Sequence, residues 1–215
     1  MKMSSSLSPR NRDSLRKKVA HEAAVLLYTF QEKEYKQAKE RAARNLGTRT
    51  LPTNVEVAEE LDRIAEEREG TARKNRLILM RNEALQIMKT LALFDPKMVG
   101  SVWRGTAHRG SDIDITVFSS DHGQVIERLN EKNYHIAKTE FVTASSNGKT
   151  VASIHVFVTL PSGNEAEIVV RDPEQKDLKA RCEIYGDTVT GLGITELQKV
   201  LDEDPLRTFV PRRKA

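Results

Sequence analysis

Asp112 and Asp114 flank a single isoleucine at the start of the run Ile113–Phe118. If that run is a strand, alternation turns both carboxylates to one face and buries Ile113 and Ile115 on the other. Two carboxylates on one face repel each other unless a cation lies between them. A hard divalent ion such as Mg²⁺ (or Mn²⁺) takes one or two carboxylates together with substrate phosphate oxygens. Upstream, across the spacer 102–111, stands Gly100-Ser101. A glycine there lets a phosphate approach the backbone, and the serine hydroxyl and the amides opening a following helix can donate to it. Arg104 and Arg109 add cations to the same stretch. Phosphate binding on one side of a loop and metal binding on the other is the arrangement that phosphoryl and nucleotidyl transfer need.

The elements that must position these residues are legible in the apolar spacing. Val19, Ala23, Leu26, Leu27 and Phe30 form a helical stripe that Tyr35, Ala38, Ala42 and Leu46 carry onward, and the spacing predicts one long helix, straight or kinked, ending at Gly47. Leu51-Pro52 breaks it. Thr53 with Glu56 has capping-box spacing and opens a second helix that Gly70 ends. A third carries Leu77, Met80, Ala84, Ile87, Met88 and Leu91, and is expected to stop at Asp95-Pro96. After residue 97 short β-branched runs replace the helical period. A short strand is expected near Met98, a strand at 113–118, a helix at 124–131, and a hairpin of strands 151–160 and 165–171 around Pro161-Ser162-Gly163-Asn164. A last short helix is expected at 194–201.

The composition bounds the function. The chain has 35 Lys and Arg against 31 Asp and Glu, and a 38% hydrophobic share. No apolar run reaches the roughly 18 residues of a membrane span, so no membrane partner is expected and the cytoplasm is the expected compartment. The lone Cys182 cannot form an intramolecular disulfide and suits a small buried position. Residues 1–53 hold 12 basic against 5 acidic residues, an excess that attracts polyanions such as nucleic acid. The divisions expected are a disordered leader (1–13), a helical N-terminal region (14–75), an α/β domain (76–204) and a basic tail (205–215).

The segment from Val99 through Gly100-Ser101, Arg104-Gly105 and Ser111-Asp112-Ile113-Asp114 resembles the DNA-polymerase-beta-like nucleotidyltransferase superfamily, and especially its minimal prokaryotic members. The resemblance implies an α+β fold, a small mixed sheet with helices packed on one side, here preceded by the helical N-terminal region. It implies transfer of a nucleoside monophosphate from a nucleoside triphosphate, ATP among the candidates, to an acceptor hydroxyl. It also implies nucleotide binding at Gly100, Ser101, Arg104 and Arg109, and a third carboxylate beside Asp112 and Asp114 on a later strand.

Glu165 and Glu167 share a strand face, and Glu167 is preferred for that third position because Ile168-Val169-Val170 follow it into the sheet. Many members have Asp there. Asp112, Asp114 and Glu167 are thus the expected catalytic and metal-binding set. His155, on the preceding strand, can project towards it, though a structural histidine is its plainer reading. For His108, phosphate contact and solvent exposure both stay open. Trp103 is read as packing the site helix onto the sheet. Arg181–Asp187, with Tyr185, is a candidate part of the nucleotide pocket. The leading expectation is transfer to nucleic acid, reached through the basic N-terminal helix, or to another acceptor. The alternatives are a toxin–antitoxin module that modifies or masks a partner protein, and a catalytically silent nucleic-acid-binding relative.

Overall fold

The computed structural model describes residues 9–146, 149–178 and 180–211. The rest of the expected leader (1–8) and of the expected tail (212–215) lies outside the described residues. The chain forms two compact units: one runs to Gly70 and includes Glu183–Gly186, and the other comprises Thr71–Cys182 and the chain from Asp187.

The first unit is built from α1 (Pro9–Tyr28), α2 (Tyr35–Asn45) and α3 (Asn54–Glu69). Proline's fixed φ suits a first helical turn, so residues 9–13 are helical rather than part of a leader. The long helix expected from the apolar stripe is two helices. Phe30 takes a left-handed φ of 59°, while Phe30 N–H donates to the Leu27 carbonyl and Gln31 N–H to that of Leu26, which together close α1 in a Schellman motif. Arg41 braces the turn through the Gln31 carbonyl and the Glu32 carboxylate. The turn lets the small faces of Ala20, Ala23, Ala24, Ala38, Ala42 and Ala43 pack together with α3. At α3 the expected capping box is present: Thr53 Oγ1 accepts from Glu56 N–H, and Glu56 Oε2 accepts from Thr53 N–H.

The second unit opens with α4 (Thr71–Thr90). This helix ends short of the expected Asp95-Pro96 boundary, in a tight turn at Ala92–Phe94 and a left-handed Asp95. Then come β1 (Lys97–Val99), α5 (Gly100–Arg104), β2 (Ile113–Phe118), α6 (His122–Glu131), β3 (His135–Ser146), β4 (Lys149–Thr159), β5 (Glu165–Arg171) and α7 (Ile194–Glu203). The five strands form one sheet in the order β1-β2-β5-β4-β3, with β2 and β5 parallel and the other pairs antiparallel. β3 is a strand that the apolar pattern does not announce. Its register shifts between Ile136 and Lys138, and that irregularity breaks the alternation.

Ile113, Ile115 and Val117 of β2, Ala166, Ile168 and Val170 of β5, and Val156 and Val158 of β4 are buried in one core with Met80, Ile87 and Met88 of α4. The alternate residues, Asp114 and Thr116 on β2 and Glu167 and Val169 on β5, lie half-buried on the other face. This is the small mixed sheet with helices on one side that the resemblance implied.

Candidate active site

Parallel pairing of β2 and β5 sets Asp114 directly opposite Glu167, and antiparallel pairing of β1 and β2 sets Val99 opposite Asp114. Asp112 immediately precedes β2. These registers bring one carboxylate oxygen from each of Asp112, Asp114 and Glu167 within 4.8 Å of one another, all three residues being half-buried. Glu165, one alternation back, is exposed beside the turn.

Such a donor set is hard, anionic and convergent, which fits a hard divalent cation. The electrostatics carry the same sign. Burial, and then the charges of Asp112 and Glu167, push the Asp114 carboxyl up to about 8. Burial also raises Asp112, with Glu167 and Glu165 adding to the shift and a hydrogen bond from its own amide opposing it.

A stability trend follows for the metal-free protein. An aspartate titrates near 3.9 in an unfolded chain, so between about pH 4 and pH 8 the native state binds more protons at Asp114 than the unfolded state does. The contribution of this group is full below the unfolded value and is lost as pH rises through about 8. In thermal melts without metal, wild type should lose stability from about pH 5 to about pH 8 more steeply than Asp114→Asn. Parallel curves for the two proteins would contradict the raised value.

Gly100 is where β1 gives way to α5. Its φ is +71°, and a Cβ built on it would stand 1.8 Å from Asp114 Oδ2. The glycine therefore lets the carboxylate lie against the backbone. Ser101, half-buried, follows it in the first turn of α5. The loop from α5 to β2 is closed on itself: His108 N–H donates to Ser111 Oγ at 3.0 Å, and Gly110 N–H donates to His108 Nδ1 at 3.2 Å. Arg109 sits exposed at the tip of that turn, and His108 helps to build the loop.

Arg104, expected at a phosphate, is buried and engages protein partners. Its side chain is 5% exposed, with Nη1 and Nη2 donating to the two Asp187 carboxylate oxygens at 2.9 and 2.7 Å and Nη1 also to the Phe209 carbonyl. A buried guanidinium needs such partners to offset its lost hydration. Trp103 is buried, with the Arg104 guanidinium 4.1 Å from its ring centre and the Phe209 ring stacked on it. Arg81, fully buried, donates to the carbonyls of Val102, Trp103, Pro205 and Arg207. Gly105, in a left-handed conformation, leaves room for the Arg207 carbonyl, which would stand 3.0 Å from a Cβ. Two buried arginines thus tie α5 to the segment 205–209. Sequence reasoning missed both roles, because the partners at Asp187, Pro205, Arg207 and Phe209 lie 83 to 126 residues away. Of the stretch Arg181–Asp187, Asp187 serves Arg104, and Glu183–Gly186 group with the helical unit, where Asn54 donates to the Glu183 carbonyl.

His155 reaches the site. Its Nδ1 lies 2.5 Å from Glu167 Oε1, and its Nε2 lies 2.9 Å from Ser153 Oγ.

Residues 82–151, about a third of the chain, match the family model described as the nucleotidyltransferase domain. The chain therefore carries a nucleotidyltransferase domain, as the motif resemblance implied. The match takes in Gly100, Ser101, Asp112 and Asp114 and ends before Glu167, whose membership of the site rests on the strand register. Solved structures similar to the chain include Cid1 in complex with the UTP analogue UMPNPP, 15% identical over 54% of this chain and 37% of that one, with a TM-score of 0.33. Another is a cytoplasmic RNA terminal U-transferase, 17% identical over 54% of this chain and 34% of that one, with a TM-score of 0.29. The chain thus spans little more than a third of the length of those proteins. No curated protein sequence matches it. Among the described residues, no helix is long and apolar enough to cross a membrane.

Proposed function

We propose that the chain is a divalent-metal-dependent nucleotidyltransferase that moves a nucleoside monophosphate from a nucleoside triphosphate to an acceptor hydroxyl. The observation that carries this reading is the convergence of Glu167 with Asp112 and Asp114, the two carboxylates that lie within the stretch matching a nucleotidyltransferase domain. These three residues would hold Mg²⁺ or Mn²⁺. Such an ion, when bound, neutralises phosphate charge and lowers the pKa of a coordinated hydroxyl.

The chain's own groups do the rest. Gly100 keeps the backbone clear beside Asp114, and Ser101 and Arg109 face the triphosphate. The acceptor oxygen forms its bond to the α-phosphorus as the bond from that phosphorus to the β-bridging oxygen breaks. Pyrophosphate leaves, and the hydroxyl proton passes to Glu167. Arg104 takes no part in phosphate binding and holds α5 in place.

For the acceptor, nucleic acid is the reading that the basic N-terminal stretch favours. Lys33, Lys36 and Arg44 are exposed on and beside α2, whereas Lys39 is bonded to Asn54. The test is incubation with each labelled nucleoside triphosphate and Mg²⁺ or Mn²⁺, with and without total RNA. Label on RNA is expected. Label on a protein instead would move the acceptor to a polypeptide, and no turnover with any nucleotide would make the chain a silent binder.

A further inference from the structure

We infer that His155 and Ser153 are positioning residues for Glu167, holding one of its carboxylate oxygens so that the other is presented to the cation. The inference rests on the metal-dependent reading of the site proposed above.

Antiparallel pairing of β4 and β5 sets Phe157 opposite Glu167 and His155 opposite Val169, so His155 is the diagonal neighbour of Glu167 on the same face. An ionised carboxylate only accepts hydrogen bonds. The contact to Oε1 therefore requires the proton on Nδ1, which leaves Nε2 as the acceptor and the Ser153 hydroxyl as its donor. The chain Ser153 to His155 to Glu167 thus fixes a single tautomer and ring orientation. The His155 and Glu167 side chains are 20% and 21% exposed, and the Phe157 ring lies against the imidazole at 6.5 Å.

The arrangement suits a glutamate standing where many members of the resembled superfamily have aspartate. The extra methylene adds a rotatable bond, and a carboxylate on a longer arm needs a second point of attachment to stay aimed at Asp112 and Asp114. A hydrogen-bonded outer partner supplies that, as it does for many ligating carboxylates.

The test compares full-length wild type, His155→Ala, His155→Asn and Ser153→Ala by Mn²⁺ titration, read by spin resonance of the free ion, and by transfer kinetics at varied Mn²⁺ and nucleotide. His155→Ala should weaken Mn²⁺ binding by about 10- to 100-fold. The Mn²⁺ concentration for half-maximal transfer should rise in step, with a much smaller change in nucleotide KM. His155→Asn, whose amide N–H falls where Nδ1–H stood, should recover most of the loss, and Ser153→Ala should shift Mn²⁺ affinity the same way by less. A folded His155→Ala protein with wild-type Mn²⁺ affinity would overturn the positioning role while leaving the transferase reading intact. Should His155→Ala not fold, wild-type Mn²⁺ affinity in a folded Ser153→Ala protein would overturn it. A wild type that neither binds Mn²⁺ nor transfers nucleotide would overturn both readings.

Discussion

Asp114→Asn should abolish nucleotide transfer, lowering the rate by about a thousandfold or more, because a carboxylate whose role is to hold a divalent ion supplies several kcal/mol of transition-state stabilisation. Folding should survive the change. Asparagine has the same shape, and it removes a half-buried carboxyl whose ionisation burial, Asp112 and Glu167 all oppose. Melting curves of the metal-free variant at about pH 8 should therefore match or exceed wild type. Asp112→Asn should behave alike. Single-turnover assays at saturating nucleotide decide the matter: retention of more than about a tenth of the wild-type rate by either variant would remove the carboxylates from the chemistry.

Gly100→Ala is expected to be nearly as damaging, although it touches no charge. The new methyl group would need the place of Asp114 Oδ2, only 1.8 Å away, and the +71° φ that glycine adopts freely is strained for alanine. Either Asp114 swings out of the cluster or α5 moves away from β1, and both disperse the three carboxylates. Activity should fall at least about a hundredfold, with about 1–3 kcal/mol lost in stability. Gly105→Ala is the useful comparison. It carries the same kind of backbone strain at +77°, but its methyl would press on the Arg207 carbonyl and not on a carboxylate. Its melting temperature should fall with a much smaller loss of turnover per folded molecule. Equal losses of turnover would show that strain in α5, rather than displacement of Asp114, is what matters.

Sequence reasoning reached the part of the site that is local in the chain. Gly100, Asp112 and Asp114 lie within one β-α-β stretch, and period-2 alternation was enough to put the carboxylates on one face. Glu167 was reachable because the turn at Pro161-Ser162-Gly163-Asn164 announces its hairpin, which closes with Leu160 N–H donating to the Asn164 carbonyl. Arg104 was misread. A cation next to a phosphate-binding signature suggests a ligand contact, and nothing nearby reveals that Asp187 and Phe209 take its guanidinium.

The break between α1 and α2 left no mark because residues 29–34 contain neither glycine nor proline, and the left-handed position falls on Phe30. β3 stayed silent for a related reason. Lys138, Thr139, Glu140 and Thr143 make it polar, and the irregularity after Ile136 shifts what alternation it has. Glycine, proline and periodicity report on local geometry. Partners fixed by long-range register, such as His155 for Glu167, become visible only once the sheet is assembled.

The central claim, nucleotidyl transfer at the Asp112, Asp114 and Glu167 cluster, is tested most directly by following the two ends of the triphosphate separately. Wild type is incubated with Mn²⁺, total RNA and a nucleoside triphosphate labelled on the α-phosphorus or, in a parallel reaction, on the γ-phosphorus, with Asp114→Asn as control. Nucleotidyl transfer requires α-label on the acceptor and γ-label in released pyrophosphate, with neither in the control. Label from the γ-phosphorus on the acceptor, or α-label transferred equally by Asp114→Asn, would contradict it.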